Sequence, residues 1–559
     1  MEVEISMINK QEKPAGVDNK FKVSKAFDRL RNHRNTLKTA QVLIIVCLVL
    51  LALALNVSRV VRADYYHDED QFIASARLLL DEGLLPYRDY PYFHTPYLVF
   101  IYALLFALTG NYNLLSARLF SAVCATASVM LVFWMVLYFF RNHQWKYRYL
   151  AAIGIFFLYL PNPLLAAIAG ISWNHNLSIL CMLGSLWLVL IGSQKVAPGI
   201  WFFAGGVLLG IATGVRVSSI TILPAFLLAL FWLPGNFSWK RIIRHALFFG
   251  AGIGAALLPL LGLFISAPQQ FIFGNLRYAQ LNSIYRLDVP VAYDGVVPVY
   301  GTRSLVDKLG FLWNNVITQP TNLLVFATLV FFGWSVPLSH LRRNDDRAFR
   351  NMLVFAAILW VAVGSFLPTP TWKQYFSAPL PFALLAIALG LVYLTQRTSQ
   401  ARVWFMLLLV QLVLIANVFV AQDFRRMSFL RYVDLWKPLV IHQVGTDIRE
   451  QIEPDGQVFT IAPIYPLEGG LRVYAPMVTG VLAFRTGSLL SEAIQQQQNI
   501  ISKDNFETYL DEDLPEGILV GFDQSVEQPI IQFAVKMGYQ PHPMTERLTL
   551  WVRPDLVHP

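Results

Sequence analysis

Charge is scarce in this sequence. Asp, Glu, Lys and Arg make up 14% of its 559 residues, against 56% that are hydrophobic, and the mean hydropathy is +0.50. That balance excludes a soluble domain of this length and points to a polytopic helical membrane protein. Cysteine is nearly missing as well. Cys47, Cys124 and Cys181 all fall within apolar runs and have no metal-ligand spacing, so they read as small core residues, with no disulfide framework. No internal repeat or pair of inverted halves is evident. The first apolar run begins near Gln41 behind a long polar tail, so no cleavable signal peptide is expected. The net charge of +9 does not imply nucleic acid, because the basic residues sit mostly in short flanks between apolar runs. Such flanks set membrane topology.

Apolar runs long enough to span a bilayer recur instead. Residues 1–39 read as a basic cytoplasmic tail, with Lys20, Lys22, Lys25, Arg29, Arg31, Arg34 and Lys38 crowding the membrane. Segment 41–61 then crosses outward. The basic loops 141–148, 240–245, 341–350 and 397–402 are cytoplasmic if the following spans are 114–140, 149–169, 173–192, 199–214, 217–233, 243–265, 321–340, 351–367, 375–394 and 403–421. The run 97–108 conflicts with this parity and is short for a span, so it is expected to be re-entrant or partly embedded. Residues 40–421 thus form a membrane domain of about eleven crossings, or up to about thirteen if 155–192 divides differently. Its outer loops are 62–96 and 266–319, joined on the outer face by a tight turn at 171–176. Residues 422–559 are richer in charge, Pro and Gly. Short β-rich runs at 458–461, 518–520 and 548–552 alternate there with helical patterns such as 442–452, which predicts a soluble extracytoplasmic α/β domain. That segment has no Asn-x-Ser/Thr sequon, which favours the inner (cell) membrane of a bacterium over a eukaryotic lumen.

The segment 62–98 holds most of the polar chemistry. Asp68, Glu69 and Asp70 open a helical pattern with Phe72, Ile73, Ala76, Leu79 and Leu80 on one face, and Gly83 is placed to end it. This predicts an amphipathic helix in the membrane interface, for which Asp68 as N-cap is the ordinary structural reading. Arg88, Asp89 and His94 follow, among Tyr87, Tyr90, Tyr92 and Tyr97. Acids, a histidine and aromatics on one face suit sugar binding, although tyrosines alone could form an interfacial belt. Successive helical residues point about 100° apart, so only one or two of the three acids can face one site. A carboxylate there would serve as general base for an acceptor hydroxyl attacking an anomeric carbon.

Asp68-Glu69-x-x-Phe72, Pro86-Tyr87-Arg88-Asp89 and His94-x-Pro96-x-Leu98 resemble the first outer loop of GT-C-type membrane glycosyltransferases. The pattern is most similar to glycosyltransferase family 39 and the protein O-mannosyltransferases, with the bacterial aminoarabinose transferases as relatives. GNYNLLSAR at 110–118 and Gly210-x-x-x-Gly214-x-Arg216 resemble the family's next landmarks. The resemblance implies a GT-C fold, a polyprenyl-phosphate-linked sugar donor, and Asp68 as catalytic base with Glu69 beside it. The family's His-Pro-Pro-Leu is replaced here by His94-Thr95-Pro96-Tyr97-Leu98. His175 and Asn176 stand where relatives often carry an acid, so no metal ligands are assigned; a divalent metal is left open with little support, and no other cofactor is assigned.

A polyprenyl-phosphate leaving group gains negative charge as its glycosidic bond breaks and needs cations near the outer ends of helices. Arg216, and Lys373 with Tyr375 in the 368–375 turn, are the first candidates, and Arg277 and Arg286 of the long loop the second. For each, the plain structural alternative is a snorkelling side chain. Asp70, Asp89, Tyr87, His94 and His175 are expected to shape the substrate pocket. The expected function is inverting transfer of a sugar to a glycan, protein or lipid acceptor at the outer face. The alternative is a transporter or flippase of a lipid-linked or sugar substrate, which the clustering of charges at helix ends disfavours.

Overall fold

The computed structural model describes residues 18–235, 237–288, 304–334, 346–397, 425–454 and 456–556, together with Trp404, Leu408, Leu409 and Leu412. Residues from Leu53 onward form one compact unit. The chain opens on a 45-residue helix, Asp18–Arg62, whose portion Lys38–Arg62 is apolar enough to cross a membrane. Among the described residues, five more helices meet that test: Asn113–Phe139, His175–Gly192, Trp239–Ser266, Asp346–Phe366 and Lys373–Thr395. The chain is a multi-pass integral membrane protein.

Two pairs of helices meet the test only together and are sharply bent. Tyr147–Tyr159 and Pro163–Ala169 meet at 69°, and Leu305–Ile317 and Pro320–Phe332 at 107°. Each break falls where a proline opens the second helix, a position that proline favours over the helix interior. At the first break Asn162 caps the new helix, its side chain accepting from the N–H groups of Leu164 (3.0 Å) and Leu165 (3.4 Å). Counting each bent pair as one span gives eight, fewer than the number read from hydropathy. The difference lies in helices too short to qualify. Gly199–Val215 has 17 residues, and 217–233 is divided between 3₁₀ turns and the seven-residue helix Leu223–Ala229. The expected span 403–421 lies outside the described residues apart from four positions.

The run expected to be re-entrant is a 13-residue helix, Tyr97–Thr109, begun after Pro96 and ended at Gly110 with φ 71°. At 1.5 Å per residue it covers about 20 Å, short of a bilayer core. Its first residue fixes its position: a Cβ on Gly214 would lie 2.2 Å from the Tyr97 ring, and the Tyr97 hydroxyl donates to the Ala256 carbonyl. Small residues bring Gly199–Val215 equally close to Trp239–Ser266. A Cβ on Gly206 would meet the Phe249 carbonyl at 2.0 Å, and one on Gly252 the Phe203 carbonyl at 2.1 Å. Backbones approach this closely only across small side chains.

The C-terminal region carries a five-stranded sheet in the order β2-β1-β3-β5-β4. β1 (Gln457–Thr460), β2 (Arg472–Val473) and β3 (Gly517–Val520) are parallel, while β5 (Thr549–Val552) runs antiparallel to β3 and to β4 (Gln540–Pro543). Phe459, Phe484, Phe506, Phe533 and Tyr474 fill its core. β1, β3 and β5 follow the β-rich runs of the sequence. β2 has two residues, and β4 carries Pro541 and Pro543, a composition that reads as non-strand except at an edge.

This α/β region packs onto the acidic segment. The helix Asp70–Glu82 was expected to be half-exposed, yet Asp70, Gln71, Phe72, Ile73, Ala74, Ser75, Ala76 and Leu78 are all buried. The C-terminal region covers its polar side: a Cβ on Gly480 would lie 2.7 Å from an Asp70 carboxylate oxygen. The Tyr65 ring sits 5.4 Å from Tyr465 and 5.5 Å from Phe522. Glu468 adds a second attachment, accepting from the Leu114 N–H (2.6 Å) and pairing with His442 Nδ1 (2.7 Å).

Candidate active site

A 3₁₀ turn, His67–Glu69, precedes the helix and sets the three acids in three different environments. Asp68 makes no capping bond there, contrary to the ordinary reading of its position. Its side chain is 33% exposed, with Oδ1 3.2 Å from His67 Nε2. Glu69 points the opposite way, with no exposed side-chain surface. Its Oε2 lies 2.5 Å from Arg118 Nη2, and its Oε1 accepts from the Ser172 N–H (2.8 Å) and hydroxyl (2.7 Å). Arg118 also donates to the carbonyls of Ala63 (2.6 Å) and Asp64 (2.8 Å). Asp70 is buried and accepts from the Tyr65 hydroxyl at 2.5 Å. Burial pushes its carboxyl well above the usual range, opposed by that hydrogen bond. Of the three, Asp68 alone keeps an accessible carboxylate.

Glu69 ties the Asp68 turn to the turn before the His175–Gly192 helix. An aromatic wall continues from there. Tyr66 stacks on His67 (5.1 Å) and meets Trp173 edge-on (5.0 Å). Trp173 lies 5.4 Å from His175, and His175 6.4 Å from Tyr375. Arg216 closes the row, its guanidinium 5.0 Å from the Tyr375 ring centroid. Arg216 follows the last residue of Gly199–Val215 with extended backbone, φ −152° and ψ 113°, which turns it off the helix. It donates to Asn174 Oδ1 (3.1 Å) and Ser218 Oγ (3.0 Å), and its Nη1 lies 3.0 Å from His175 Nε2. Among the described residues no carboxylate pairs with it. His175, Arg216, Ser219, Ser365 and Tyr375 line one small cleft.

His94 joins the two halves. Its ring stacks on Phe72 at 5.5 Å. Burial, then the Arg216 guanidinium, pulls its imidazole down to about 4, while Asp68 acts in the opposite direction. The imidazole is therefore neutral at physiological pH.

His175, Arg216 and Tyr375 therefore come together, and the row His67–Tyr66–Trp173 runs from them to Asp68. Lys373 is exposed, two residues before Tyr375 in the 3₁₀ turn Lys373–Ser377. Tyr87 braces the loop from behind: its hydroxyl donates to the His94 carbonyl and accepts from Asn275 Nδ2 (3.0 Å). Asp89 closes its own turn, accepting from the Leu85 N–H (2.7 Å) and from Arg88 Nη2 (2.7 Å). The Arg88 hydrogen bonds hold its carboxyl below the usual range. Arg277 lines a different cleft, of about 460 Å³, with Gln280, Leu490 and Gln497. Arg286 lies on the Tyr278–Asp288 helix, and its side chain is outside the described residues. Tyr66, Trp173, Asn174 and Ser218 were not anticipated, although Trp173 and Asn174 adjoin His175 in the turn that was. No group of three or more His, Cys, Asp or Glu side chains that could hold a metal ion occurs among the described residues.

By sequence the chain matches no family model and no curated protein. Its fold is similar to that of ArnT from Cupriavidus metallidurans. The apo structure aligns at TM-score 0.60 and 14% identity over 93% of this chain and 99% of that one. The structure bound to undecaprenyl phosphate aligns at TM-score 0.58 and 14% identity over the same shares, 93% and 99%. At such identity the likeness is one of fold, and it is the GT-C fold expected from the motifs.

Proposed function

We propose that this GT-C-fold chain is a glycosyltransferase that moves a sugar from a polyprenyl-phosphate carrier to a hydroxyl acceptor at the outer face of the membrane. The observation that carries this reading is Arg216, a half-buried guanidinium with only neutral partners, lining a cleft between helices. Arg118, by contrast, is neutralised by Glu69. An unneutralised cation at such a place suits a phosphate.

In the proposed step the acceptor oxygen attacks C1 of the sugar as its proton passes to the Asp68 carboxylate. The C1–O bond to phosphate breaks, its electron pair stays on the polyprenyl phosphate, and Arg216 stabilises the charge that gathers there. Attack opposite the leaving group inverts C1. Support for a lipid-linked donor comes from the undecaprenyl phosphate bound by ArnT, a protein of the same fold. The test is release of polyprenyl phosphate and labelled product by the full chain in liposomes supplied with lipid-linked sugar and acceptor. Transfer by Asp68→Asn at the wild-type rate would overturn the assignment of the base.

A further inference from the structure

Four helices that frame the candidate active site at one end frame a second polar cavity at the other. Arg118, His175, Ser365 and Tyr375 belong to the near ends of Asn113–Phe139, His175–Gly192, Asp346–Phe366 and the helix beginning at Lys373. The far ends supply Phe139, Arg141, Gln194, Asp346, Arg347 and Arg350 around a cavity of about 220 Å³. The nineteen residues from His175 to Gln194, along and just beyond the His175–Gly192 helix, separate the two sites by about 28 Å, close to the thickness of a bilayer core, so they face opposite sides of the membrane.

Three guanidiniums share this cavity with one carboxylate among its described lining residues. Arg350 lies 5.2 Å from the Phe139 ring centroid, and its Nε is buried without a hydrogen-bond partner. Arg141 stacks 4.4 Å from the Tyr138 centroid and reaches Gln194 Oε1 at 3.3 Å. Snorkelling arginines carry their heads out to water, whereas Arg350 is held inward against an aromatic wall. Like charges crowded at a low-dielectric boundary repel one another, and an anion between them relieves the repulsion. Guanidiniums pair with phosphate oxygens in a fork-like geometry. Basic pockets between helices on the cytoplasmic side are a recurrent form of anionic head-group site.

We infer that this cavity binds a phosphoryl group, of the kind carried by an anionic phospholipid head group, on the membrane face opposite the candidate active site. The inference stands independently of the proposed transfer reaction. Its test uses the full chain purified in detergent. Binding of phosphatidylglycerol and of phosphatidylcholine is followed by native mass spectrometry, and inorganic phosphate is added as competitor. Wild type is expected to retain one phosphatidylglycerol in preference to phosphatidylcholine, and Arg350→Gln to weaken that binding about tenfold. Arg347→Ala, at an exposed position, is the second variant should Arg350→Gln fail to fold, with the same expectation. Displacement by inorganic phosphate would identify a site that reads the phosphoryl group alone, and resistance to it one that requires the lipid. Equal retention of both lipids by wild type, or unchanged binding in a folded variant, would overturn the inference.

Discussion

Glu69 and Arg118 meet as an ion pair in which neither side chain has exposed surface, with Oε2 and Nη2 2.5 Å apart. The pair is fully satisfied: Ser172 donates twice to Glu69, and Arg118 donates to the carbonyls of Ala63 and Asp64. It joins the turn carrying Asp68, the Asn113–Phe139 helix and the turn preceding His175. Removing one partner leaves the other charge buried and unpaired.

Glu69→Gln is therefore expected to lower stability by about 3–5 kcal/mol, read as a loss of thermal stability in detergent. Glu69→Gln with Arg118→Met, which removes both charges, should recover much of that loss. Equal destabilisation by the single and double variants would contradict the account of the pair.

Asp68→Asn should behave in the opposite way. The carboxylate is part-exposed and lies beside His67, so thermal stability should be unchanged. Transfer, if Asp68 is the base, should fall by about 10²–10⁴. The comparison to make is initial rate against melting temperature for the two variants of neighbouring acids.

Arg216 offers a test of donor recognition. Its two directed hydrogen bonds and its stacking on Tyr375 use the planar guanidinium, which lysine does not reproduce. Arg216→Lys should reduce kcat/KM for the lipid-linked donor by about tenfold or more while leaving the acceptor KM in place. A loss confined to the acceptor would reverse the assignment.

Asp70 predicts a pH dependence of stability. Its folded-state pKa is raised by burial, so the protonated form favours the fold. Its contribution is fully present below the unfolded pKa of about 3.9 and is lost as pH rises through the raised folded value. Asp70→Asn, which resembles the protonated acid, should flatten that part of the profile of melting temperature against pH.

Much of this was legible in the chain. The apolar runs gave the long helices, Gly83 marked the end of the acidic helix, and Arg216 stood out as a cation at a helix end. The three acids were not separable by sequence, because their different environments come from distant partners: Arg118 and Ser172 for Glu69, and Tyr65 with the covering α/β region for Asp70. The burial of most of Asp70–Leu78 escaped the pattern for the same reason. Its periodicity describes an amphipathic helix correctly, but periodicity does not report what lies on the polar side. Hydropathy also could not tell a straight span from one broken at Pro163, since 149–169 reads as one continuous apolar run, and it assigned Leu305–Ile317, the first arm of the pair bent at Pro320, to the outer loop.

The close approach at Gly206, Gly210 and Gly252 makes Gly199–Val215 and Trp239–Ser266 a single stiff strut, and Tyr97 wedges against Gly214 at its tip. Arg216 stands at that tip, so its depth in the bilayer is set by backbone contact and not by a pliable loop. For the proposed donor this acts as a gauge: every carrier presents its phosphate at the same level, whatever length of isoprenoid trails into the lipid. Tail length would then be sensed along the outer flanks of the helices, apart from the chemistry, and carriers of different length should differ in binding more than in the rate of transfer once bound.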